Sequence, residues 1–145
     1  MGNRPTPTAT RKLSGSNLHR VNKKEAHFKP IEEMYIPEKV RADKYALEEW
    51  ERMFPEAVEN RLLNRANLAE FMAICFAYAA WMHADDQVAE QGYWLTDKIC
   101  KDGVLVSENM KLNPALRIAA QSRIEMRLHE IEFGFTPAGA TKVYA

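Results

Sequence analysis

The sequence predicts a mainly α protein. It should hold a three-helix core with a long apolar central helix, a small β-hairpin and a disordered basic N-terminal arm. Three observations carry this. Residues 71–82 (FMAICFAYAAWM) lack any strongly polar side chain. Helical apolar spacings precede and follow that run, and the charges of a neutral chain are unevenly distributed along it.

The central run sets the architecture. At ~1.5 Å per residue it is about 18 Å long, short of the ~20 apolar residues that cross a bilayer, so it is a buried helix. A helix apolar on every side must be covered on every side. Ala66, Ala69, Ala73, Ala77, Ala80 and Ala84 recur at spacings of three and four. That stripe lets another helix approach closely, while Phe71, Ile74, Tyr78, Trp81 and Met82 form the bulky side. Only two further long helical patterns are available as cover, so part of it is expected from other copies of the chain. Phe71, Ala73, Ile74, Ala77, Tyr78, Ala80 and Trp81 are the oligomerisation candidates. A monomeric three-helix bundle is the alternative.

The 145 residues suit one domain with tails, and 46% hydrophobic content suffices for a modest core. Residues 1–30 hold seven Lys/Arg against Glu25 alone, residues 31–90 six basic against thirteen acidic side chains, and the remainder seven against six. A basic arm on an acidic body points to a polyanionic partner for the arm; a solvated tail without a partner has the same composition. Cys75 and Cys100 form no metal or disulfide framework and suit a reducing compartment. The N-terminus has no apolar signal region, although Gly2 and Thr6 fit the short acylation pattern.

Along the chain, residues 1–36 read as a flexible arm rich in Pro, Gly, Ser, Thr, Asn and Lys. Residues 37–134 are the helical and oligomerising core, and residues 135–145 a tail. Pro37 and Glu38 open the first helix, Val40, Leu47, Trp50 and Phe54 form its inner face, and Pro55 is expected to close it. Asn64 is the expected N-cap of the central helix and Gly92 its stop. His83, Asp86 and Glu90 share the end of that helix, which reads as a polar terminus with no metal. Residues 93–96 and 104–107 read as short strands joined by a long connection through Lys101-Asp-Gly103. Such a hairpin is marginal alone and should pack on helices or on a neighbouring subunit. Asn113-Pro114 starts the third helix, with Leu116, Ala120, Ile124, Leu128 and Ile131 as its apolar stripe, and Gly134 ends it.

No catalytic constellation appears. There is no phosphate-cradling Gly-rich loop, nucleophile elbow or zinc motif, and the four histidines at 19, 27, 83 and 129 are dispersed. An enzyme is not expected, and no cofactor or metal is implied. Arg4, Arg11, Lys12, Arg20, Lys23 and Lys24 are spaced to follow phosphates, which gives affinity without reading sequence. Arg117, Arg123 and Arg127 form a weaker candidate surface, and no helix-turn-helix pattern stands out. Two other classes fit the same composition. One is an oligomeric helical adaptor whose arm docks on an acidic protein, the other a peripheral membrane protein anchored through Gly2.

Several stretches, taken in order, resemble one family. Gly2-Asn-Arg-Pro-Thr-Pro-Thr-Ala9 and Leu13-Ser-Gly-Ser-Asn17 are similar to the opening of a widespread family of phage terminase small subunits. Trp50 in an acidic helix, Gly92 before a hairpin, Asn113-Pro-Ala-Leu116 and Phe133-Gly-Phe-Thr-Pro137 follow in that family's order. The resemblance covers most of residues 2–20 and 37–137; Lys23-Lys-Glu-Ala-His27 and the hairpin connection at 97–103 depart from it. It implies a ring-forming helical homo-oligomer in the host bacterial cytoplasm that binds double-stranded viral DNA at the packaging start. It also implies a large subunit as partner, which supplies the ATPase and nuclease, and no membrane.

Overall fold

A computed structural model describes residues 28–135. The elements are α1 (Glu38–Arg41), α2 (Lys44–Glu59), α3 (Leu68–Gln91), β1 (Trp94–Lys101), β2 (Val104–Leu112) and α4 (Ala115–Phe133). The mainly helical class and the single antiparallel hairpin agree with the sequence reading. Residues 1–27 and 136–145 lie outside the described residues, and with them nearly all of the expected arm and tail.

The expected first helix is split. Asp43 interrupts it, its carboxylate accepting from the Tyr45 and Ala46 amides at 2.9 and 3.2 Å, so α2 starts afresh at Lys44. Such a side-chain cap supplies partners for amides that a helix start leaves open. Pro55 does not end the helix, which runs on to Glu59 with the proline inside it. The local preference against proline gives way to the burial of Ala57 beyond it.

The start of the central helix also shifts. Asn64 does not cap it: its Oδ1 takes the Ala66 and Asn67 amides at 2.8 and 3.1 Å, forming a turn before α3 begins at Leu68. Asn67 Oδ1 accepts from the Asn64 amide in return, and its side-chain amide donates to the Leu62 carbonyl at 2.7 Å. The paired Asn residues thus spend three further residues on a turn, and Ala66 leaves the helical stripe. Upstream, the Ile31 amide donates to the Leu63 carbonyl at 2.8 Å, tying the entering chain to this turn.

Trp50, Phe54, Phe71 and Phe133 centre the core. The ring of Phe71 lies 4.8 Å from Trp50 and 5.6 Å from Phe133, so one residue of α3 joins α2 to the end of α4. Val40, Trp50 and Phe54 are buried as the spacing predicts. Of the alanine stripe, Ala84 serves the close approach expected of it, packing with Ala115 and Ala119 on α4, and Ala77 is buried; Ala73 and Ala80 are half-buried and Ala69 is exposed.

Two expectations for the last elements change. The hairpin has no long connection: its strands reach 8 and 9 residues, and Asp102 and Gly103 alone make the turn, at φ 51° and 77°. Positive φ at both central positions is the geometry that matches strand twist in a two-residue hairpin. The middle of the third helix's stripe, Ala120, Ile124 and Leu128, faces outward instead, while Leu116 and Ile131 at its ends are half-buried. Ala115, Ala119, Ser122 and Phe133 are buried, while Ile124 and Leu128 are 56% and 58% exposed. Small side chains line the inner face near the start of α4, where α3 lies close, whereas Met126 and Phe133 further along reach the aromatic core.

Candidate assembly and nucleic-acid surfaces

The proposed oligomerisation residues divide by burial. Phe71 and Ile74 are wholly covered within one protomer and Ala77 nearly so. The chain therefore wraps more of its central helix than its length suggested. Ala73, Tyr78, Ala80 and Trp81 are half-buried. Tyr78 reaches Glu48 at 3.5 Å, and burial first, then the Glu48 charge, pushes its phenol above the usual value. Trp81 packs edge-on to Tyr78 and lies under the Arg123 guanidinium at 5.6 Å.

The polar end of α3 is a latch onto α2. His83 Nε2 meets Asp43 at 2.8 Å, the Tyr45 hydroxyl donates to Asp86 at 2.5 Å, and Lys44 lies 3.7 Å from Asp86. Burial opposes ionisation of Asp43, but the His83 bond and the two helix amides together lower its carboxyl below the usual range. Among the described residues no group of His, Cys, Asp and Glu could hold a metal ion. No helix there is long and apolar enough to cross a membrane. Cys75 is buried and Cys100 exposed, both free.

A buried carboxylate escaped the sequence reading. Glu49 is wholly buried beneath α2, with Arg52 donating to both of its oxygens at 2.9 and 2.5 Å. The spacing of three between an acid and a base was the signal available; the neighbouring Glu48 and Glu51 on the solvent face hid it.

Two apolar surfaces stand uncovered. The first is the outer side of α4, where Ile124 and Leu128 are exposed in line with Ala120, and Ile118 lies on the flank. The second is the hairpin. Trp94 pairs with Leu112 and Thr96 with Met110, so Trp94, Met110 and Leu112 share one face. A bulge past Ile99 places Val104, Leu105 and Val106 around the tip. All seven of these large apolar side chains, Ile99 included, are exposed, and none joins a core cluster. Within the hairpin, charge is paired across the strands: Lys111 with Asp97 at 2.5 Å and Lys98 with Glu108 at 3.7 Å.

The hairpin is fixed at its root. Asn113 donates its amide N–H to the Tyr93 carbonyl and its side-chain amide to the Gly92 carbonyl, at 2.8 and 2.9 Å. Its Oδ1 accepts from the Ala115 amide at 3.0 Å, across Pro114, the residue that precedes α4. One buried asparagine thus joins the end of α3, both strands and the start of α4.

The family model described as phage terminase, small subunit, matches residues 46–145. The chain belongs to that family. The matched range holds α3, the hairpin and α4, with both uncovered surfaces; the basic arm lies before it. Among curated proteins and among solved structures, nothing matches. As a terminase small subunit the protein has a role in phage DNA packaging, with DNA and the large subunit as the family's general partners. Small subunits are generally non-catalytic, the ATPase and nuclease belonging to the large subunit. Of the expected DNA-binding residues, Arg4, Arg11, Lys12, Arg20, Lys23 and Lys24 all lie outside the described residues. Arg117, Arg123 and Arg127 are exposed on α4.

Proposed function

We propose that this small subunit initiates packaging in the host bacterial cytoplasm as a ring of identical copies. Its residues 1–36 form a basic arm that holds viral DNA, residues 37–134 assemble, and residues 135–145 form the tail. The family match over residues 46–145 is the observation that carries this reading. Arg4, Arg11, Lys12, Arg20, Lys23 and Lys24 neutralise phosphates of double-stranded DNA, and repetition of the arm around the ring multiplies weak contacts into avidity. The large terminase subunit is then recruited to the DNA so marked. Ala73, Tyr78, Ala80 and Trp81 remain exposed enough to meet a neighbour, while Phe71, Ile74 and Ala77 act by fixing the helix that presents them.

Duplex binding by the full chain, measured against salt, tests this reading. Six phosphate contacts give a log–log slope of about −5, and Arg11→Ala with Lys12→Ala flattens it by about 2. An unchanged slope in the double variant overturns the role of the arm.

A further inference from the structure

We propose that residues 1–27, the basic part of the arm, dock on the outer face of α2 in the same chain when no DNA is bound, so that duplex must displace them. This rests on the reading that the arm holds DNA, and it names the regulation of that same site.

Helix α2 carries unpaired charge of one sign. Glu48, Glu51 and Glu59 share an exposed face with Pro55, at spacings of three and four, and exposed Glu56 lies beside them. None of these four carboxylates has an ion pair among the described residues, and Glu48 meets only the uncharged Tyr78 hydroxyl. The two cations of the same helix are taken, Lys44 by Asp86 at 3.7 Å and Arg52 by buried Glu49. Arg61 and Arg65 follow in the loop and pair with none of the four.

This arrangement opposes the helix's own dipole. The last turn of α2 holds Glu56 and Glu59 and no basic residue, and its first turn holds no acid. Carbonyl ends of helices favour cations, and like charges three residues apart repel. Glu48 with Glu51 and Glu56 with Glu59 are two such pairs. A cationic segment laid along this face relieves both penalties.

The chain supplies that segment at the same end of the helix. Past Glu59 the Leu62 amide turns back to the Ala57 carbonyl at 2.9 Å, and the Leu63 carbonyl takes the Ile31 amide at 2.8 Å. Pro30 pairs with Asn64, so exposed Phe28 is delivered to the C-terminal end of α2, and residues 1–27 join the body there. They hold Arg4, Arg11, Lys12, Arg20, Lys23 and Lys24 against Glu25 alone, while exposed Glu32 and Glu33 at the root add to the acidic side. From Glu48 to Glu59 is about 16 Å of helix, a span that residues 1–27 at ~3.3 Å each cover several times over. Lys23 and Lys24 reach Glu56 and Glu59 first. Docking and DNA binding exclude each other because both use the same side chains, and the apparent duplex affinity scales with the fraction of arms left free.

The test uses the full chain throughout. Carbodiimide joins lysine to carboxylate only where they touch. Mass spectrometry of the dilute, DNA-free protein is expected to find Lys23 or Lys24 linked to Glu56 or Glu59, and duplex or high salt should remove those links. The combined variant Glu48→Gln, Glu51→Gln, Glu56→Gln and Glu59→Gln changes exposed positions only and keeps the fold. It should bind duplex about fivefold more tightly at low salt, as expected for an arm docked about four-fifths of the time.

A gain of the same size in a chain that also carries Arg20→Ala, Lys23→Ala and Lys24→Ala would be long-range charge alone, and overturns the docking. So does an absence of links, or links found only between isotopically distinct copies in a mixed sample. Should the three arm substitutions leave duplex binding at the wild-type level, the DNA reading of the arm fails, while the links still decide whether the arm docks.

Discussion

Glu49 lies with its carboxylate 1% exposed, while Arg52, one turn on, holds both of its oxygens and keeps its own guanidinium largely in solvent. The pair is a buried acid tethered to water by its partner. Breaking a buried ion pair from one side strands a charge, which is worse than lacking the pair.

Arg52→Ala should therefore destabilise the protein by about 1–3 kcal/mol, below the 3–5 kcal/mol of a fully buried pair because the arginine side is solvated. Adding Glu49→Gln should recover part of that loss. Urea unfolding of the single and double variants checks it: a double variant less stable than Arg52→Ala would mean that the carboxylate is stabilising without its partner.

Asp43 combines a helix cap with the bond to His83. Asp43→Ala should cost about 1 kcal/mol at neutral pH, the usual loss for a cap. Because the folded carboxyl is lowered, its contribution is complete above the ordinary aspartate range and disappears as pH falls through the folded value. Wild type and variant should converge in acid, measured as melting temperature against pH.

Much of the fold is legible in periodicity, yet the third helix shows where periodicity stops. Leu116, Ala120, Ile124, Leu128 and Ile131 make a true apolar stripe, and spacing alone cannot say whether it meets the same chain or another. The decision came from Ala84, Ala115 and Ala119, whose small size lets α3 and α4 approach and claims the inner face. The split at Asp43 was likewise hidden, since Val40 on the short α1 and Trp50 on α2 are both buried despite the break. The hairpin turn was readable in Asp102-Gly103, but strand length was not, because Asp97, Lys98, Glu108 and Asn109 lack strand character and are held as cross-strand partners. Of the candidate site, the apolar content of α3 was legible; how much of it the chain covers itself was a matter of packing.

Ala119→Leu tests that packing directly. Extra methylenes between closely packed helices force them apart, at about 1–3 kcal/mol. Ala120→Leu, one residue on and facing solvent, should leave the protomer's stability within about 0.5 kcal/mol. Equal penalties in denaturant titrations would contradict the assigned inner face.

Glu130 has its carboxyl raised, by burial first and then by the Glu49 charge, with Arg52 opposing both. The folded state therefore binds this proton more tightly than the unfolded one. Stability from this group is lost as pH rises from the ordinary glutamate range through the raised folded value. Glu130→Gln should raise the melting temperature at pH 7, and the gain should shrink as pH falls toward that range. A gain that grows in acid would reverse the assignment.

Gly92 ends α3 at φ 82° and ψ 174°, a combination essentially reserved to glycine. A Cβ there would meet nothing within 4 Å, so any penalty for Gly92→Ala is backbone strain and not crowding. The expected cost is about 1–3 kcal/mol. The Gly92 carbonyl also receives the Asn113 side chain, and Asn113 directs the chain from β2 into α4. Asn113→Ala should therefore share this penalty: once the strained turn has shifted, its anchor has less to hold. A double variant whose loss equals the sum of the two singles would show that the turn and the anchor act independently, and that the hairpin's exit from the helices is set elsewhere.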